Sequence, residues 1–132
     1  MGSEMCIRDS RVIVKEKFNA RYMEVADLGE SVDLAVMDVS FISLTKIWPA
    51  AKRVLKEGGD LIALIKPQFE LSKEEVSQGK GVVKDPSLHQ KAIDKMYQFN
   101  QDELGLEWVN LEESPITGTD GNKEFLVWLR FK

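Results

Sequence analysis

A chain of 132 residues, 43% hydrophobic and 30% charged, has the size of one domain and the composition of a globular protein rather than a disordered one. Its net charge of −4 and pI near 5.1 argue against a self-sufficient nucleic-acid binder, which carries a basic face. No apolar run approaches the about 18 residues that cross a bilayer, and no secretory signal opens the chain. The single cysteine, Cys6, rules out an internal disulfide and fits a reducing cytoplasm.

Residues 1–10 show no periodicity and read as a non-native or disordered leader, which leaves 11–132 for the fold. Arg11-Val12-Ile13-Val14-Lys15-Glu16-Lys17 has the β-branched density of a strand. A short helical or irregular stretch from Asn19 to about Gly29 follows, then a strand from Asp33 to Val39. Ser43 is placed to cap a helix from Leu44 to about Lys56, with Ile47, Ala50, Ala51, Val54 and Leu55 at helical spacing and Gly58-Gly59 as its stop. Leu61 to Ile65 is an apolar run without alternation, the pattern of a strand buried on both faces of a parallel sheet.

From Phe69 to Asp85 the chain is polar and aperiodic, and a loop of that length in a compact domain is usually functional or disordered. Asp85-Pro86 opens a helix to about Glu103, with Ile93, Met96, Tyr97 and Leu104 on its apolar face. Glu107 to Leu111 and Glu124 to Phe131 read as strands, separated by the turn-rich segment 114–122. The alternation predicts an α/β fold, a doubly wound parallel sheet whose last strand returns antiparallel.

Two strands carry the chemistry. Asp33–Val39 delivers Asp38 at its C-terminal end, and Leu61–Ile65 delivers Lys66, after which Pro67 stops the ladder because it has no N–H to donate. In open α/β sheets that edge is where ligands bind, so an acid–lysine pair is expected there. His89 is the only histidine, and no metal site can be assembled around it; it reads as structural or capping. Trp48, Trp108 and Trp128 fall on apolar faces, as core rather than as base-stacking platforms.

Five segments resemble the TlyA family of FtsJ-like ribosomal RNA 2′-O-methyltransferases, also called hemolysin-like proteins. They are Phe18-Asn19-Ala20-Arg21, Asp38-Val39-Ser40-Phe41-Ile42-Ser43-Leu44, Ile65-Lys66-Pro67-Gln68-Phe69-Glu70, Gly79-Lys80-Gly81-Val82-Val83-Lys84-Asp85, and Ser114-Pro115-Ile116 with Gly121-Asn122-Lys123-Glu124. The resemblance implies a Rossmann-like S-adenosylmethionine-dependent fold of strand order 3-2-1-4-5-7-6, of which this chain holds the part from the third strand on. The first two strands, the glycine-rich turn for the cofactor and the family's N-terminal RNA-binding domain find no counterpart.

By the same resemblance, Asp38, Lys66 and Glu124 are three members of a Lys-Asp-Lys-Glu catalytic tetrad whose first lysine has no match. Asn19, Ala20, Arg21 and Asp38 are placed at the cofactor, and Lys73, Lys80 and Lys84 on a loop facing RNA, with Glu70, Glu74, Glu75 and Asp85 offsetting their charge. The implied partner is ribosomal RNA or a ribosomal subunit, with no metal and no membrane. The expected function is that of a methyltransferase fragment, inactive alone; the rival is a non-catalytic Rossmann-like binding or interaction module. An apolar sheet edge on the Asp33–Val39 strand is expected to be exposed.

Overall fold

The computed structural model describes residues 19–39, 42–77, 79, 81–118 and 121–132. The expected leader, the expected strand at Arg11–Lys17, Phe18, Ser40, Phe41 and Lys80 lie outside the described residues. A 3-10 turn at Ala20–Tyr22 and the one-turn helix α1, Val25–Leu28, lead to β1, Val32–Met37. A second 3-10 turn, Leu44–Lys46, precedes α2, Trp48–Val54, and β2, Leu55–Ile65. Two short helices follow, α3, Pro67–Glu70, and α4, Lys73–Ser77. The long helix α5, Pro86–Phe99, runs on through a π turn at Asn100–Leu104, and the chain closes with β3, Glu107–Glu113, and β4, Phe125–Arg130.

The four strands form one sheet in the order β1-β2-β4-β3. β1 and β2 are parallel, whereas β4 runs antiparallel to both β2 and β3. This is the 4-5-7-6 block of the expected sheet, with the antiparallel strand inserted beside β2. Leu61, Ala63 and Ile65 of β2 join Val127 and Leu129 of β4 on one face, packed with Trp48 and Ala51 of α2 and Ile93 and Met96 of α5. The opposite face holds Ile62 and Leu64 half-buried and Leu34, Val36 and Leu126 exposed, Val36 by 71%. Among the described residues, then, the burial expected on both faces is met on one, and the exposed apolar edge falls on β1.

The helix expected from Leu44 to Lys56 is split. Ser43 does cap, its Oγ accepting from Thr45 N at 3.2 Å, but what it caps is the 3-10 turn. Pro49 explains the break: in the interior of one continuous helix its ring would meet the carbonyl of residue 45, so α2 restarts with Pro49 in its first turn. Gly58 and Gly59 do not end a helix but lie inside β2, where the register jumps from Val32↔Leu55 to Leu34↔Asp60. Gly58 sits at φ +83°, a left-handed conformation that lets the excess residues bulge out of the ladder.

The polar stretch 69–85 is not structureless, since it ends α3 and contains all of α4. Helix α5 starts as expected, with Asp85 accepting from Ser87 N at 2.9 Å and Pro86 as its first residue. Tyr97 departs from the expected apolar face. It is 42% exposed and meets the Trp108 ring edge-on at 5.2 Å between centroids.

Candidate active site

Three neighbouring strands bring three ionisable residues to one edge. Asp38 is the first residue after β1, Lys66 the first after β2, and Glu124 the last before β4. Parallel β1 and β2 end on the same edge, while antiparallel β4 begins there. Ile65 pairs with Phe125, so Lys66 and Glu124 are the next residues out on adjoining strands. Lys66, on the middle strand, therefore stands between the two acids. Its Nζ forms an ion pair with Asp38 Oδ1, the lysine side chain 10% exposed and the aspartate 66%. Glu124 is buried like Lys66, at 8%. A buried ammonium is sustained only by such partners, which is why this lysine is not an ordinary solvated strand end.

The turn after Lys66 is built on Pro67, which terminates the ladder and starts α3. Glu70 at its end, expected among the loop's offsetting charges, is instead buried, its side chain 1% exposed. Its carboxylate accepts from Ser43 Oγ at 2.5 Å and from Leu44 N at 2.9 Å, and pairs with Lys95 Nζ at 3.2 Å.

The segment before Glu124 is held with equal care. Asn122, 2% exposed, accepts from Val83 N at 2.8 Å and donates to Gly81 O at 3.0 Å. Its own carbonyl accepts from Gly118 N at 2.7 Å, and Ser114 N donates to Glu124 O at 2.8 Å. Gly118 lies against the Glu124 carboxylate so closely that a methyl group there would come within 2.8 Å of Cδ, and nearer still to Oε2. His89 is structural: buried, it bonds Val83 O through Nε2 at 2.6 Å and tilts over the Phe125 ring.

Lys73 and Lys84 are exposed at the two ends of the loop region, and the structure does not bring them into contact with Asp38, Lys66 or Glu124. Of the acids beside them, Glu75 is bound to Lys91 and Asp85 is committed to the α5 cap, its carboxyl held low by the Ser87 hydrogen bonds. Among the described residues no group of three His, Cys, Asp or Glu side chains could hold a metal ion. No helix among them is long and apolar enough to cross a membrane.

The family model for FtsJ-like methyltransferases matches residues 1–131. The chain belongs to the FtsJ-like methyltransferase family. It is 44% identical over 125 residues to YqxC of Bacillus subtilis, which carries an rRNA methyltransferase name, covering 94% of this chain and 44% of that protein. It is 42% identical over 122 residues to the 16S/23S rRNA (cytidine-2′-O)-methyltransferase TlyA of Mycobacterium tuberculosis, covering 92% and 45%. A solved hemolysin-like protein of Streptococcus thermophilus superposes with a TM-score of 0.91 at 39% identity, over 98% of this chain and 46% of the other. The chain thus spans less than half the length of these relatives.

Membership in the FtsJ-like family implies S-adenosylmethionine as the methyl donor. The 3-10 turn at Ala20–Tyr22 docks on α2 through Arg53, whose guanidinium donates to the carbonyls of Arg21 at 3.1 Å and Met23 at 3.2 Å. Between turn and helix runs an open groove lined by Arg21, Tyr22, Thr45, Lys46, Pro49 and Arg53. Tyr22 is 65% exposed there, and Glu24 also faces this groove. Asn19 Oδ1 accepts from Arg21 N at 3.0 Å, which caps the turn. Asp38, Lys66 and Glu124 do not line this groove.

The central triad was legible from strand ends and motifs, but Glu70, Asn122 and Gly118 were not. Glu70 looked like one acid in a charged loop, and only its place at the end of a one-turn helix behind the lysine hints at burial. Asn122 and Gly118 look like ordinary turn residues until the turn is folded against Glu124.

Proposed function

We propose that this chain supplies the catalytic side chains of a ribosomal RNA 2′-O-methyltransferase that uses S-adenosylmethionine. The observation that carries the reading is Lys66, buried and paired with Asp38, with Glu124 beside it on the next strand. A ribose 2′-hydroxyl is a weak nucleophile that must be held in line with the methyl it attacks. The reaction forms one O–C bond, breaks one S–C bond and sheds the hydroxyl proton. Lys66 is the group to orient that hydroxyl and handle its proton, with Asp38 paired to its Nζ and Glu124 entering the adjoining strand beside it.

S-adenosylmethionine, when bound, supplies a methyl group on a positively charged sulfur. In this reading Asn19, Ala20 and Arg21 hold its adenine end at the 3-10 turn, and Asp38 faces it from the edge of the sheet. Lys73 and Lys84, exposed on the loop region, would meet RNA phosphates, and the protein would act in the cytoplasm, where ribosomal RNA is. Membership in the family and the rRNA methyltransferase names of two relatives support this substrate class. The mycobacterial name makes cytidine the first nucleotide to test.

The test is transfer of labelled methyl from S-adenosylmethionine to ribosomal RNA by the whole protein that contains this chain, with alkaline resistance of the product marking a 2′-O-methyl. Lys66→Ala should lower the rate by roughly 10²–10⁴-fold, the range for a lost general acid–base group. Undiminished transfer by Lys66→Ala would sink the reading. RNA binding without transfer in the unsubstituted protein would favour a binding module instead.

A further inference from the structure

Asp38 and Lys66 leave the sheet on different segments of chain, and something must hold those segments in step. The segment after β1 carries Ser43, five residues past Asp38; the segment after β2 carries Glu70, four residues past Lys66. One buried carboxylate joins them. Glu70 Oε1 accepts from Ser43 Oγ at 2.5 Å, and Oε2 accepts from the backbone N–H of Leu44 at 2.9 Å. Lys95, reaching over from α5, approaches Oε1 at 3.2 Å and also donates to the Glu70 carbonyl at 2.8 Å, which fixes the backbone end of α3.

We propose that Glu70 is a positioning residue, the splice that keeps Asp38 and Lys66 within reach of each other. It does not touch the reacting atoms; it acts through the ion pair. A carboxylate suits the task because it takes two donors from one segment and a cation from a third element at once, and such charge-assisted bonds are the short, strong ones. Glutamine cannot reproduce this. Its oxygen can keep the Leu44 N–H, but its NH2 must then donate to Ser43 Oγ in place of accepting from it, and Lys95 loses its counter-charge. The proposal rests on the catalytic reading of the Asp38–Lys66 pair.

A double-mutant cycle in the whole protein tests it, with kcat and both KM values measured for wild type, Glu70→Gln, Asp38→Asn and the double variant. Glu70→Gln should lower kcat by about 10- to 100-fold with KM for S-adenosylmethionine and for RNA within about 2-fold, the signature of lost alignment. In the Asp38→Asn background the same change should cost less than about 3-fold, because the pair it serves is already broken. Equal losses in the two backgrounds would make Glu70 a plain structural residue and overturn the proposal, as would an unchanged kcat in Glu70→Gln.

Ser43→Ala, which removes one arm of the splice and leaves the buried charge paired, serves if Glu70→Gln fails to fold; it should show the same non-additivity. Where turnover is too slow to measure, the NMR signal of the Lys66 ε-carbon reads the geometry directly. It should move in Glu70→Gln toward its position in Asp38→Asn, and no movement would count against the splice. Lys66→Ala separates the two readings. Full activity there discards the catalytic pair, whereas a dead Lys66→Ala beside an unaffected Glu70→Gln discards only the splice.

Discussion

Asn122 holds Val83 across 39 residues of sequence, its side-chain oxygen accepting the buried Val83 N–H at 2.8 Å. The same amide donates to Gly81 O at 3.0 Å, so both ends of one side chain are spent on the loop before α5. Because Asn122 is two residues from Glu124, the loop and the carboxylate share one anchor. Asn122→Ala would leave a buried N–H without its acceptor, at a cost of about 1–3 kcal/mol. Amide exchange at 81–85 should quicken, and chemical denaturation should report the loss; Asn122→Asp, which sets a buried carboxylate against Gly81 O, should not rescue it.

Gly118 and Glu124 predict a different outcome. Here the side chain that is absent matters, since a Cβ at 118 would overlap the Glu124 carboxylate. Gly118→Ala should displace that carboxylate or push the hairpin turn outward. Methyl transfer should fall by about 10-fold or more, as misplacement of a group near the reacting atoms does. The melting temperature should change far less than the rate. A variant as active as wild type would show that Glu124 needs no fixed position.

Helix α4 should respond to acid. Ser72 N donates to Glu75 Oε1 at 3.0 Å and Glu75 N donates to Ser72 Oγ at 3.2 Å, the reciprocal bonds of a capping box. With Lys91 Nζ at 2.5 Å as the main cause and Ser72 as the second, the Glu75 carboxyl is held down to about 2 from 4.5. A carboxyl lowered in the folded state contributes stability above its unfolded value and loses it as pH falls through the folded one. Amide protection of residues 73–77 should therefore be full above about pH 4.5 and decline toward pH 2. Glu75→Gln should abolish that pH dependence.

Trp48 poses a packing question. It is 0% exposed at the centre of the core, yet its indole Nε1 has no hydrogen-bond partner. Trp48→Ala should cost about 3–5 kcal/mol through the cavity it leaves. Trp48→Phe also shrinks the side chain but removes the orphan donor, whose burial costs about 1–3 kcal/mol. The two effects oppose, and the net change by denaturant titration should stay within about 1.5 kcal/mol.

These outcomes mark how far the sequence could be read. Strand ends were legible because apolar runs stop abruptly at Asp38 and Lys66, and the block of four strands followed from the motifs. Helix α5 was legible from Asp85-Pro86 and from the helical spacing of Ile93 and Met96. Segment 44–56 was misread because helical spacing continued through Pro49, and one proline outweighs several well-placed apolar residues. The glycines at 58 and 59 looked like a helix stop because a bulge inside a strand has the same local signature. Glu70 and Asn122 were out of reach for another reason: their partners lie 26 and 39 residues away in sequence, and nothing local distinguishes a buried polar side chain from a solvated one.

The direction of β4 has a further consequence. A parallel strand in that position would offer the rim the residue that follows its last rung, with a long crossover behind it. Running the other way, β4 receives its chain from the rim itself, so the connection from β3 enters β4 at the edge where Lys66 leaves β2. That connection is a hairpin in which Asn122 is committed to Gly81 and Val83, and Gly118 to the space beside Glu124. A change of length there would shift Glu124 and the loop before α5 together, whereas Asp38 and Lys66 leave the sheet on other segments.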